Sequence, residues 1–159
     1  APDLIHEPIV VDSAAVIALG DFNDEPFDPS ITIHAQGLRD KGDVTRTKSA
    51  KFYNLTWEYL TVMTQDRKGN QRLLNGTLYF GSDASLFDQI LISSGLLTGK
   101  SGWRAVDGSA RIEAYPPMVS HRVGEGPVRF GLPAGDVAEN VNLDGYSDHF
   151  PVSVRIEEV

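Results

Sequence analysis

At 159 residues with 41% hydrophobic side chains, the chain has room for one globular domain with a buried core. No run approaches the roughly 20 apolar residues of a membrane span, and without cysteine the fold uses neither disulfides nor thiolate metal sites. A net charge of −8 argues against a protein whose main task is to hold nucleic acid on a basic face. Lys and Arg are scattered, apart from loose groups at 39–51 and 67–72. A phosphate-bearing partner therefore calls for a metal ion or for basic residues gathered from elsewhere.

The first residues, "APDLIHEPIVVDS", have neither a basic leader nor an apolar stretch, so no signal peptide is visible and no compartment follows. The chain opens on Ala, which implies a processed start or a piece of something longer. "AAVIALG" (14–20) reads as a strand buried on both faces. It breaks into "DFND", and Gly20 at its end suggests a close approach of the backbone. A short helix is predicted from Pro29 to Ala35, with Asp28 as its N-cap. "FYNLTWEYL" (52–60) carries aromatic core residues on a short helix or a turn. "NG" at 75–76 marks a tight turn before a strand in "TLYF". "LFDQILIS" (86–93) is a strand with a carboxylate inside it, and "WRAV" (103–106) and "ARIEAY" (110–115) are weaker ones. Pro116 and Pro117 end the last of these. Residues 120–145 read as a long loop, and "FPVSVRIE" as one closing strand alternating Val152, Val154 and Ile156. Strands dominate, so the expected class is α+β: a sheet with one or two flanking helices. The triplets "NLT" and "NGT" match a glycosylation acceptor pattern, but such triplets are common by chance and carry no weight.

Three segments set polar groups where a strand meets a loop: Asp21 and Asn23 in "GDFND", Asp88 in "LFDQILIS", and Asp148 and His149 in "YSDHFPV". A carboxylate on an apolar strand needs a partner. His is a natural one, because a carboxylate at one ring nitrogen fixes the tautomer and frees the other for proton transfer. Of the four histidines, His149 is the best candidate, since it stands at a strand entrance beside an acid. Asp148 then has its carboxylate free for a hard cation. Asn23 can donate an N–H to a substrate oxygen, and Asp21 can orient or deprotonate a water. Together these describe metal-assisted attack on a phosphoester. Taken singly, each has a plain reading. "DFND" is also a turn sequence, Asp88 is also a surface carboxylate on an edge strand, and "SDH" is also an ordinary loop. His6, His34 and His121 read as structural or solvent-facing.

The three segments, in this order, resemble the endonuclease/exonuclease/phosphatase superfamily, the fold class of pancreatic deoxyribonuclease. The resemblance runs from about Ala15 to Ile156. It implies a Gly-Asp-Phe-Asn motif at Gly20–Asn23, whose Asp21 and Asn23 handle the attacking water and the developing charge. It implies that Asp88 holds a catalytic His149, which contacts the scissile phosphate. It implies that Asp148, together with Asp21, faces a divalent metal, magnesium or manganese. The substrate is then a phosphate ester, with DNA, lipid and nucleotide left open.

The resemblance also implies parts that this chain lacks. The family's earlier half, with a Gln-Glu motif whose Glu is a principal metal ligand, is not here. Glu7, Glu58 and Glu113 do not stand in such a setting. The chain is thus expected to be the C-terminal half of a four-layer α/β/β/α sandwich, residues 1–159 forming one portion of the domain. Alone it is expected to be nearly inactive. A bare apolar sheet face drives association, so a homodimer or pairing with the missing N-terminal half is expected, with sheets stacked roughly 10 Å apart. The alternative is a non-catalytic association module that keeps the family's motifs.

Overall fold

The computed structural model describes residues 13–47, 49–130 and 141–159. The architecture is mixed α+β, with strands predominating. The strands are β1 (Ile17–Asp21), β2 (Gly37–Leu38), β3 (Phe52–Asn54), β4 (Val62–Gln65), β5 (Gln71–Leu74), β6 (Leu78–Phe80), β7 (Asp83–Ser85), β8 (Asp88–Ser93), β9 (Trp103–Ala105), β10 (Arg111–Ile112), β11 (Val152–Ser153) and β12 (Ile156–Glu158). The α-helices are α1 (Lys41–Thr45) and α2 (Ser94–Thr98). No helix among the described residues is long and apolar enough to cross a membrane.

A four-stranded sheet in the order β1-β8-β3-β2 organises the fold. β8 runs antiparallel to both β1 and β3, and β2 joins β3 in parallel. The reason is in its sequence: Ile90, Leu91 and Ile92 are all buried, so both faces of β8 are covered. Ile90 and Ile92 join the main core with Tyr53, Leu55, Leu74, Ile112 and Phe150. Leu91 points to the other face by the period of two. The remaining strands form the antiparallel pairs β4–β5, β6–β7, β9–β12 and β10–β11.

Four expectations change. The apolar run before "DFND" does not form a strand buried on both faces. β1 is an edge strand whose exposed positions alternate, with Leu19 62% exposed. An apolar run reports what a strand can bury, while its neighbours decide what it does bury. The short helix covers Ser30–His34 as a wide π-type turn, and Asp28 does not cap it. Asp28 Oδ2 instead accepts the Glu25 amide at 2.8 Å, closing the preceding turn. Asn75-Gly76 forms no tight turn; it links β5, which pairs back to β4, to β6, which pairs on to β7. Gly76 matters for space: a Cβ there would lie 2.8 Å from the Ser85 amide nitrogen. The closing strand is two short strands, β11 on β10 and β12 on β9.

"FYNLTWEYL" resolves into strand β3 followed by a 3₁₀ turn over Leu55–Glu58, with Asn54 capping it by accepting the Thr56 amide at 3.0 Å. Asn54 is fully buried and its amide donates to Gln89, so it is no glycosylation acceptor in this fold. Of the 120–145 loop, residues 131–140 lie outside the described residues, as do His6 and Glu7.

Candidate active site

The β1–β8 register places Asp21 directly opposite Asp88. One position beyond, the Phe22 amide donates to the Phe87 carbonyl at 2.9 Å. That rung makes Asp21–Asp88 a non-hydrogen-bonded pair, the kind in which facing side chains come closest, with Cα atoms about 4.5 Å apart. Both carboxylates therefore emerge on one face at one end of the sheet. Two like charges facing each other are unfavourable unless something intervenes.

His149 is what meets one of them. Its Nδ1 lies 2.7 Å from Asp88 Oδ2, and both side chains are mostly buried. The placement comes from the closing segment. His149 bridges to Leu78 of β6. The next residue, Phe150, is fully buried and donates its amide to the Thr77 carbonyl at 2.8 Å. Burying a Phe side chain contributes about 1.5–3 kcal/mol, so Phe150 anchors the histidine. Thr77 serves both partners, because its hydroxyl also accepts the Asp88 amide at 3.2 Å.

The "GDFND" turn is fastened to the same strand. Asp21 Oδ1 accepts the Asn23 amide at 2.8 Å, a local Asx turn. Asn23 itself sits at φ +54°, a left-handed conformation that Asn tolerates better than most residues. Gly20 has φ +139° and open space around it. The expectation of a close backbone approach at Gly20 is thus corrected: the conformation, not crowding, selects glycine there. The plain reading of "DFND" as a turn holds.

A buried polar chain holds this turn to the sheet. Gln89 is wholly buried and donates from Nε2 to the Asp24 carbonyl at 2.7 Å, while its Oε1 accepts from Asn54 Nδ2 at 2.7 Å. Tyr59 donates its hydroxyl to the Asp88 carbonyl at 3.2 Å. Burial pushes the Tyr59 phenol well above its ordinary value, so it remains a donor. Glu25 adds a further tie, its carboxylate accepting the Leu86 amide at 3.1 Å. Gln89, Asn54, Tyr59 and Thr77 were not singled out as site residues from the sequence. The available signal was polar residues inside apolar strand runs.

Asp148 is exposed beside His149 and makes no hydrogen bond or ion pair among the described residues. The structure thus brings Asp88 and His149 into contact, sets Asp21 opposite Asp88, and closes Asn23 onto Asp21. The divalent metal implied by the resemblance is a different matter. Among the described residues no three Asp, Glu or His side chains gather where they could hold an ion. Glu58 is taken up by Tyr53 and Lys41, and Glu113 by Arg111 and Ser153. The donor set present does not by itself fit a metal.

A family model described as Endonuclease/Exonuclease/phosphatase family matches residues 5–158. Comparison with curated proteins and with solved structures gives no significant match. Members of that family are hydrolases of the phosphoesterase and nuclease type and generally use divalent metals. A match over almost the entire chain, with the three motif segments converging on one end of the sheet, leads to one conclusion: the chain belongs to the endonuclease/exonuclease/phosphatase family.

Proposed function

We propose that this protein acts in divalent-metal-dependent hydrolysis of phosphate esters, with His149 as the group that meets the scissile phosphate. The observation that carries the reading is the 2.7 Å contact between His149 Nδ1 and Asp88 Oδ2. A carboxylate only accepts, so the proton on this contact belongs to Nδ1. That leaves Nε2 as the working nitrogen. With a proton it donates to a phosphoryl oxygen as negative charge builds there, and without one it accepts a proton from water. In this reading Asn23 adds an amide donor and Asp21 orients the attacking water.

Magnesium or manganese is the expected ion, and Asp21 and Asp148 are the carboxylates this chain offers to it. Because they do not make a full ligand set, the chain alone is expected to hydrolyse slowly. A second reading is an association module that keeps the motifs. It is favoured by the incomplete ligand set and by the exposed Ile17 and Leu19 along β1.

Hydrolysis of bis(p-nitrophenyl) phosphate, with and without magnesium or manganese, tests the choice. A slow, metal-stimulated rate that disappears in His149→Ala supports the enzyme. A rate identical in the two proteins removes it and leaves the module.

A further inference from the structure

The hydrolysis proposed above leaves an arginine-lined cavity unused. It has a volume of about 490 Å³, and its lining includes Arg67, Tyr79, His121, Arg122, Glu125 and Arg129. A second recess of about 440 Å³ shares Arg67 and passes over Pro116, Pro117 and Tyr146. The chain links the cavity to the active-site end of the fold. Arg129 donates to the Tyr79 carbonyl, and the neighbour of Tyr79, Leu78, is the bridge partner of His149. Tyr146, in the second recess, is three residues before His149.

The charge in this cavity is assembled on purpose by the backbone. The β4–β5 turn brings in Arg67, whose amide donates to the Val119 carbonyl at 3.1 Å. The Arg67 guanidinium has no hydrogen-bond or ion-pair partner among the described residues. Arg72 donates to the carbonyls of Ser120, Arg122 and Glu125, which fixes the loop carrying Arg122. Glu125 is the single carboxylate in the lining among the described residues. Ser120 holds it at 2.6 Å, and Arg122 reaches it at 3.4 Å. Three arginines and one carboxylate thus line the cavity among the described residues, in a chain whose net charge is −8, and Arg67 is the one of the three with no side-chain partner there. Guanidinium charges around one cavity repel one another unless an anion is shared between them. They suit an anion whose oxygens accept forked N–H donors, and phosphate is such an anion.

We propose that this cavity binds a phosphate group other than the scissile one, so that the substrate carries at least two phosphates within reach of each other. The substrate part of this rests on the hydrolase reading; the anion site does not. Calorimetric titration with inorganic pyrophosphate, without metal, tests the site directly. Saturable binding is expected. Arg67→Gln and Arg122→Gln should each weaken it by about tenfold, the loss of one charge-assisted hydrogen bond, and binding should persist in His149→Ala. Circular dichroism checks that the variants fold. Absence of binding, equal binding in the arginine variants, or loss of binding in His149→Ala overturns the site.

A kinetic arm then separates a substrate phosphate from a free one. Two thymidine p-nitrophenyl phosphate diesters are compared, with and without a second phosphate on the other ribose position. The wild-type KM should favour the two-phosphate ester, and Arg67→Gln should erase that preference. A preference that survives Arg67→Gln overturns the assignment to substrate, even where pyrophosphate binds.

Discussion

His149 and Asp88 lie 61 residues apart in the chain, yet Nδ1 of one sits 2.7 Å from Oδ2 of the other. The carboxylate occupies Nδ1 and leaves Nε2 as the free imidazole nitrogen. His149→Ala is expected to lower metal-stimulated phosphodiester hydrolysis by about 10²–10⁴-fold. Asp88→Asn keeps the shape but presents an amide that can donate to Nδ1 and turn the tautomer. A loss of about ten- to a hundredfold is expected, read as kcat with KM little changed. Asp88→Asn at full kcat would remove the orienting role.

Asn23 holds the turn, and the proposed hydrolysis gives it an amide to donate; substitution separates the two. Its φ of +54° is costly for residues with a Cβ, about 1–2 kcal/mol when the residue is Ala. Asn23→Ala is therefore expected to lower both Tm and activity. Asn23→Gly accepts the backbone conformation and lacks the amide, so Tm should be near that of the native protein while activity stays low. Recovery of activity in Asn23→Gly would leave Asn23 as a turn residue only.

Gln89 joins β8 to the Asp24 carbonyl and to Asn54 with both ends of its amide. Gln89→Leu is nearly the same size but strands the Asn54 amide and the Asp24 carbonyl. The expected loss of stability is about 1–3 kcal/mol, seen in urea denaturation. Activity should fall further than Tm predicts, because the "GDFND" turn loses its tie. An unchanged midpoint in urea would mean that this network contributes nothing.

Acid should unfold the protein through particular carboxylates. Burial alone would raise the Glu113 carboxyl, but the Ser153 hydroxyl and Arg111 overcome it and hold it below its ordinary value of 4.5. Glu125 is lowered chiefly by Ser120, against burial, with help from Arg122. A carboxylate lowered in the folded state stabilises above its unfolded value, and that stability is lost as pH falls through the folded value. Tm is therefore expected to be level above about pH 5 and to drop at more acid pH. Glu113→Gln should flatten the acid limb in calorimetric scans. An acid limb as steep as that of the native protein would rule Glu113 out as a contributor.

The β1 edge carries Ile17 and Leu19 in the open. Ile17 and Leu19 stand opposite the buried Ile92 and Ile90 in the β1–β8 register. The exposed strip thus continues the core of the sheet to its margin. Pairing along it, with a second copy or with the half-domain implied by the resemblance, would cover it. Size-exclusion chromatography with light scattering should show a dimer at micromolar concentration and a monomer for Leu19→Glu. A monomeric native chain at every concentration would exclude the homodimer.

Much of the site was legible before any coordinates. A carboxylate in "LFDQILIS" has to find a partner, and a His beside an acid at a strand entrance is a chemically sensible one, so Asp88 and His149 could be matched across 61 residues. Thr77 and Gln89 were not legible, because a hydroxyl or an amide inside an apolar run does not announce which backbone it will hold. Both α-helices were missed as well. Each has five residues, too few for a helical period to register.

The amino-acid order by itself determined the family, the α+β class and the pairing of Asp88 with His149, because these depend on residue types at strand ends. Tertiary structure alone decided that β1 lies at an edge and that its exposed margin continues the core. It also decided that Arg67, Arg122 and Arg129 share one cavity. The physical reason is that burial and electrostatic field belong to neighbours in space. Three arginines spread over more than sixty positions make a positive site only after the chain has folded around them.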